Sequence, residues 1–197
     1  MTERNDQRLA ETRARLLDAV IESLAERGYA ATSTTEVARR SGLTRGAQLH
    51  HFGTKERMMV AVVERLSERT NAPEVASALD GVPTADRIRI ALEVISSLVT
   101  GVEPQAYAEL WAASRDVPSL AVALRANDEV ARAAVLALFG EEILRRAGQR
   151  FDERLDLLLY ALRGMALDAH DASSDDLQLR KDLVVGMAPL LEEALEQ

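Results

Sequence analysis

The sequence predicts an all-α fold, and three observations support this prediction. Ala, Leu, Glu and Arg, which favour helices, are abundant among the 197 residues. Aromatic residues make up only 4% of the chain and β-branched runs are few, which leaves little material for a sheet. Apolar residues also recur at helical spacing along most of the chain. With 47% hydrophobic residues, the chain can form one or two small domains with a core.

The first predicted helix ends at Gly28, which can act as a left-handed cap. Its apolar stripe consists of Ala14, Leu17, Val20, Ile21 and Leu24. A capping box then opens a short second helix, with Ser33 bonding the third backbone amide and Glu36 reaching back to the cap. That helix cannot extend past Gly42.

Thr44 is the predicted N-cap of a third helix that continues through His51. A turn at Gly53 leads into a fourth helix, which we expect to end near Asn71. Ala38 precedes Gly42 by four residues, and this spacing is typical of a helix-turn-helix, whose second helix enters the major groove of DNA. The same pattern also occurs in ordinary αα-corners.

Charge is divided unevenly along the chain. Residues 1–58 contain 10 Lys and Arg against 8 Asp and Glu, a net charge of +2. Residues 59–197 contain 14 against 24, and the whole chain carries −8. Because salt screens charges beyond about 8 to 10 Å, an acidic second domain does not prevent the first from binding DNA. A net charge of +2 also fits a near-neutral domain with no such role.

Composition excludes several other classes of protein. The absence of cysteine excludes disulfide scaffolds, thiolate zinc sites and thiol nucleophiles. Residues 1–8 are polar, and the longest apolar run, residues 133–139, is too short to cross a bilayer. We therefore expect a cytoplasmic protein without membrane contact.

The stretch from Thr44 to Glu56 resembles the tetracycline-repressor family of bacterial transcription regulators. In that family a recognition helix ends in a His-Phe pair, here His51-Phe52, and Thr54-Lys55-Glu56 matches the start of its fourth helix. The resemblance extends over roughly residues 11–65. It implies a homodimeric DNA-binding regulator, a repressor that a small apolar effector releases from a palindromic double-stranded operator.

The resemblance also implies which residues contact DNA. Arg45 has a fork that suits guanine, Gly46 and Ala47 allow close approach to the bases, and His50 can bond a base edge or a phosphate. His51 and Lys55 match phosphate contacts of the family. The expected DNA-binding residues are Ser33, Thr34, Thr35, Thr44, Arg45, Gly46, Ala47, Gln48, His50, His51 and Lys55.

Gln48 and Leu49 depart from the family pattern, which has an apolar residue followed by a tyrosine. Either Gln48 takes the usually buried position with its amide bonded locally, or Leu49 packs inward and Gln48 faces the groove, where it could read adenine. We favour the second arrangement. Arg39 and Arg40 are interpreted as a solvated helix face and left out of the site.

The domain boundary is expected at residue 58, with residues 59–197 forming a ligand-binding and dimerisation bundle. Its predicted helices carry stripes from Ile88 to Leu98 and from Ala106 to Trp111, a long helix begins at Pro118, and two apolar helices follow. An effector cavity is expected at Tyr107, Trp111, Phe139, Tyr160 and Met165, with Asp168 or His170 among possible polar contacts.

The resemblance implies that the last two helices form a four-helix dimer interface. The expected interface residues are Leu158, Leu162, Met165, Leu183, Met187, Leu190 and Leu191. The alternative is that both helices only close the core of one chain. The resemblance also implies that ligand binding moves the fourth helix, so that the two reading heads no longer match major grooves roughly 34 Å apart.

No cofactor, metal site or enzymatic activity is expected. The sequence contains no glycine-rich phosphate loop, no Gly-x-Ser-x-Gly elbow and no metal-ligand spacing. Adjacent His50 and His51 point about 100° apart on a helix and do not converge on one ion. The alternative function is a helical interaction protein whose helix-turn-helix no longer reads DNA.

Overall fold

Helices form nearly all of the chain described by the computed structural model, which covers residues 2–70, 77, 79–97, 101–167 and 173–195. No strand occurs in these ranges, as the all-α prediction requires. The helices are α1 (Thr2–Ala31), α2 (Thr34–Ser41), α3 (Arg45–Phe52), α4 (Lys55–Thr70), α5 (Thr84–Ser97), α6 (Val102–Ala113), α7 (Pro118–Arg146), α8 (Gln149–Leu167), α9 (Ser174–Val185) and α10 (Ala188–Glu193).

Asn71, Leu98, Asp168 and His170, which entered the sequence predictions, lie outside the described residues. Within those residues, none of the helices combines the length and the apolar character that crossing a membrane requires.

The first hydrophobic core joins the N-terminal helices to the second half of the chain. Leu17 and Leu24 of α1 are buried against Met58 of α4. Leu110 of α6 and Leu124 of α7 complete the same core. The apolar packing therefore continues across residue 58, and the boundary placed there stays a prediction.

A second core lies among the C-terminal helices α5 and α7 to α10. At its centre the rings of Phe139 and Phe151 meet edge to face, with centroids 5.3 Å apart. Phe139 is 0% exposed, so its assignment to the ligand cavity was wrong. Phe139 faces the core because it packs against Phe151 there, and the neighbouring Gly140 marks a bend in α7 with a φ of 78°.

Two helix ends differ from the sequence prediction. The first helix bends at Gly28, where φ is 76°, and continues to Ala31. The last predicted helix is interrupted after Val185, and α10 begins at Ala188 with Pro189 in its first turn, a position that proline tolerates.

Candidate nucleic-acid interface and ligand cavity

The turn between α2 and α3 has the geometry of a helix-turn-helix. Gly42 ends α2 in the left-handed region, with φ 66° and ψ 22°. The Leu43 amide donates to the carbonyl oxygen of Ala38 across the turn at 3.1 Å. Ala38 is buried where the helices cross, as its small side chain allows. Both predicted features of the turn, a small residue and a glycine four residues later, are present.

Ser33 caps α2 as predicted, but the capping box is only half formed. The Ser33 hydroxyl oxygen accepts from the Glu36 amide at 3.1 Å. The Glu36 carboxylate does not return to the cap, because it accepts two bonds from Arg39, at 2.7 and 2.9 Å. This contact with Arg39 lowers the pKa of Glu36 and keeps its carboxylate charged.

Helix α3 exposes one face along its length. Thr44 caps it by accepting from the Ala47 amide at 3.1 Å. Arg45, Gly46 and His50 are exposed, and Arg45 makes no hydrogen bond or ion pair with any described residue. A free guanidinium at the first turn of an exposed helix is available to a base edge or a phosphate.

Gln48 does not lie on the exposed face, so the arrangement favoured from the sequence was wrong. Gln48 is 1% exposed, and its Nε2 donates to the sulfur of Met58 at 3.6 Å. Leu49 is 60% exposed. Gln48 and the buried Phe52 are four residues apart and share the inner face of α3, which turns Leu49 outward. Leu49 is the interface candidate that the sequence reasoning missed, although its spacing from Arg45 signalled it.

The basic residues expected to meet phosphates differ in their surroundings. Lys55 donates to the carbonyl oxygen of Tyr29 at 2.7 Å and lies 4.2 Å from the centre of its ring. Burial lowers the pKa of Lys55. His51 is half-buried, and its pKa is lowered by burial, then by the neighbouring His50 and Arg13. Because an ammonium group has three N–H donors, the bond to Tyr29 leaves Lys55 with further donors.

The remaining predicted contacts lie at the start of α2. Ser33 and Thr35 are exposed, and Thr34 is half-buried. Of the two arginines left out of the site, Arg39 is exposed as expected. Arg40 is not, because its side chain is 17% exposed and pairs with Glu26 of α1. The charge of Arg40 is therefore balanced within its own domain.

A cavity of about 670 Å³ lies among α6, α7 and α8. Three of the predicted residues, Tyr107, Trp111 and Tyr160, line it. Met165 lies on a different face of α8 and packs against the second core. Its assignment to the cavity was therefore wrong.

Asp128 organises the polar side of this cavity. Its carboxylate accepts bonds from the Tyr107 hydroxyl, from Trp111 Nε1 at 3.2 Å and from Arg163 Nη2 at 2.9 Å. Burial and the bond to Asp128 raise the pKa of Tyr107, so the hydroxyl stays protonated. No sequence signal indicated Asp128, because its partners lie 17 to 35 residues away along the chain.

The predicted interface residues of the last helices divide into two groups. Leu158, Leu162 and Leu191 are buried within the chain, so their assignment to a surface was wrong. Met165 and Met187 pack partly against the same second core. Leu183 and Leu190 are exposed, at 53% and 45%. Further exposed leucines on these helices are Leu157, Leu167 and Leu179.

A helix-turn-helix whose second helix is exposed is typical of DNA-binding regulators of transcription. Residues 16–62 match the family model described as bacterial regulatory proteins of the tetR family. The chain is 28% identical over 163 residues to the HTH-type transcriptional regulator CymR of Pseudomonas putida. The aligned region covers 82% of this chain and 80% of CymR.

Solved structures agree with this match. A transcriptional regulator from Rhodococcus sp. Rha1 superposes on this chain with a TM-score of 0.68 and 26% sequence identity. The superposition covers 89% of this chain and 95% of the Rhodococcus chain. A regulator from Saccharomonospora viridis in complex with choline has a TM-score of 0.72 and 16% identity, covering 91% and 96%. The chain is therefore similar to transcriptional regulators of the tetR family, in sequence over residues 16–62 and in fold over most of its length.

Proposed function

We propose that the chain represses transcription by binding a palindromic operator as a homodimer, and that a small molecule in the cavity releases it. One observation carries this proposal: helix α6 lines the cavity with Tyr107 and Trp111 and also holds the DNA-binding helices through Glu109. A dimer that covers two successive major grooves blocks that DNA to other proteins, which is why the proposed effect is repression.

The contact between the two parts of the chain is a short relay of hydrogen bonds. The Glu109 carboxylate accepts from the Tyr29 amide at 3.1 Å, just after the bend at Gly28. The Tyr29 carbonyl accepts from Lys55, the first residue of α4. A ligand that shifts α6 would therefore move the segment that positions α4 and, through it, α3. This supports coupling between ligand and operator.

Base reading is assigned to the exposed face of α3. Arg45 fits guanine, and His50 fits a base edge or a phosphate. Leu49, rather than Gln48, lies on this face, and it offers an apolar surface to a thymine methyl group. The proposed interface also includes the remaining predicted contacts, namely Ser33, Thr34, Thr35, Thr44, Gly46, Ala47, His51 and Lys55.

The exposed leucines of the last helices support a homodimer. Leu157 and Leu167 of α8, with Leu179 and Leu183 of α9, are large apolar side chains in contact with water. A second copy would cover them by the same faces through two-fold symmetry, which matches a palindromic operator. The S. viridis regulator is in complex with choline, and this supports a small-molecule ligand for a protein of this fold.

The test is selection of bound sequences from a random duplex pool, repeated with Arg45→Ala. We expect a palindrome with half-sites about one helical turn apart and an affinity that falls steeply with salt. Arg45→Ala should cost about 1 to 3 kcal/mol at one base position in each half-site.

Arg150→Ala is the matched control, because Arg150 is an exposed arginine at the start of α8. It should leave the selected sequence unchanged. Failure to enrich any sequence at low salt would overturn the proposal and favour the interaction protein without DNA reading. An Arg45→Ala profile equal to the parent would remove the role of Arg45.

A further inference from the structure

The cavity concentrates aromatic side chains that carry a polar group. The chain has one tryptophan and three tyrosines, and all of them except Tyr29 line this cavity. Their faces already hold a cation, because the guanidinium carbon of Arg163 lies 4.3 Å from the centre of the Trp111 ring. It lies 5.8 Å from the centre of Tyr160. Aromatic faces attract cations electrostatically at these distances.

A carboxylate completes this cation site, and it is anchored independently of Arg163. Asp128 accepts from the Tyr107 hydroxyl and from Trp111 Nε1, so two neutral donors hold it in place if Arg163 moves away. Tyr107 is itself half-buried and also bonds Asn127 of α7. The aromatic faces and the carboxylate thus form a preformed site for a positive charge.

The charges around the cavity also favour a cation over an anion. Four carboxylates and three arginines line it, namely Glu103, Asp128, Glu129, Asp156, Arg125, Arg132 and Arg163. Arg132 is already bound to Asp152 and Asp156, at 2.9 Å each. An anion that enters the cavity would come close to the negatively charged Asp128 carboxylate, which would repel it.

We propose that the effector is an organic cation, an ammonium group on an apolar body, which takes the place of Arg163 over Trp111 and beside Asp128. This inference rests on the proposed function. The apolar body would lie against Leu124, Val135 and Leu162, which line the same cavity. Arg163 is long enough to turn its charged head toward water and is partly exposed already. The ligand buries apolar surface that the arginine does not.

The experiment uses the fluorescence of Trp111, the chain's only tryptophan, in the full-length protein without DNA. Three ligands with the same phenyl body are titrated: phenyltrimethylammonium, its neutral isostere tert-butylbenzene, and benzoate. We expect the cation to bind at least tenfold more tightly than either of the others. Asp128→Asn should weaken cation binding at least tenfold and leave tert-butylbenzene unchanged.

Arg163→Gln provides a second readout with the opposite sign, because it removes the internal competitor and should strengthen cation binding several-fold. Arg146→Gln is the matched control; Arg146 is an exposed arginine of α7 outside the cavity lining, so no change is expected. Circular dichroism checks that each variant is folded. If Asp128→Asn does not fold, the rise in Arg163→Gln still decides.

Two results would overturn the inference. One is binding of tert-butylbenzene that is as tight as, or tighter than, binding of phenyltrimethylammonium, which would mean that the cavity selects only for apolar surface. The other is tighter binding of benzoate that disappears in Arg163→Gln, which makes Arg163 an anion site. Operator binding is measured separately. Release of the operator by the neutral ligand alone would overturn this inference and leave the proposed function standing. If the cation binds and no ligand releases the operator, the release step of the proposed function is wrong, and with it the role of the cation as effector.

Discussion

The α2–α3 unit and the cavity are built by contacts of different range along the chain. In the α2–α3 unit, the bonds that define the shape join residues three to five apart, such as the caps at Ser33 and Thr44. In the cavity, Asp128 bonds groups of α6 and α8 that lie 17 to 35 residues away. Local bonds are visible in a sequence pattern, whereas the distant ones depend on how whole helices pack.

This difference separates two kinds of function in one molecule. The helix-turn-helix pattern fixes a general shape, and under the proposed function the DNA specificity then depends on a few exposed side chains of α3. The cavity has no such pattern, because any helices that pack can enclose one. Substitutions in the core, in the link between the two regions and on the exposed face of α3 therefore test this difference.

Phe139→Ala should have the largest effect, because it removes a fully buried ring from the second core. We expect the free energy of unfolding to fall by about 3 to 5 kcal/mol, measured by urea denaturation. Tyr160→Ala is the comparison, since Tyr160 lines the cavity but is 65% exposed. It should change stability little and change ligand binding. The reverse pattern would return Phe139 to the cavity wall.

Gly28→Ala tests the bend that links the two parts. With φ 76° and ψ 171°, this backbone suits only glycine, and an added Cβ would lie 3.0 Å from the Glu109 carboxylate. We expect a loss of about 1 to 3 kcal/mol in unfolding free energy, measured by thermal and urea denaturation.

Gly81→Ala is the control for Gly28→Ala. Gly81 also has a positive φ, 80°, but nothing lies within 4 Å of an added Cβ. It should show the cost of backbone strain without a clash. Equal losses in the two variants would mean that the Glu109 contact adds nothing to the cost at Gly28.

Glu109→Ala tests whether the link carries the ligand signal. The variant removes the acceptor of the Tyr29 amide, a hydrogen bond to a charged group worth about 1.5 to 3 kcal/mol when buried and less at this half-buried site. We expect operator and ligand each to bind, with a smaller effect of ligand on operator affinity. Asp116→Ala, at an exposed carboxylate after α6, should leave that effect intact. Full coupling in Glu109→Ala would refute the relay.

Much of the N-terminal fold could be predicted from sequence because capping and turn residues act locally. Ser33, Thr44 and Gly42 lie where the patterns indicated. Gln48 was misjudged because its burial depends on Met58, ten residues away on another helix. A stripe of leucines indicates a covered helix face, but periodicity cannot tell whether the cover is the same chain or a second copy. This is why the buried Leu158 and the exposed Leu183 were grouped together.

Gln48→Leu sharpens the assignment of the α3 faces. Because Gln48 is buried, an apolar side chain of similar size should change the free energy of unfolding by less than about 1.5 kcal/mol and leave the selected operator unchanged. Leu49→Ala should instead relax the preference for thymine at one position, with no loss of fold. Sequence selection on both variants measures this. A changed operator in Gln48→Leu alone would mean that Gln48 turns outward on DNA.

The smallest expected effect is the pH dependence of operator binding through His51. In the free protein, burial, His50 and Arg13 lower the pKa of His51, so the ring is mostly neutral at pH 7. A phosphate beside it would favour the charged ring and raise the pKa on binding. Operator affinity should therefore rise as pH falls from 8 to 6, by at most about tenfold per pH unit for one proton. His51→Gln should reduce this slope more than His50→Gln does. An unchanged slope in His51→Gln would remove His51 from the phosphate contacts.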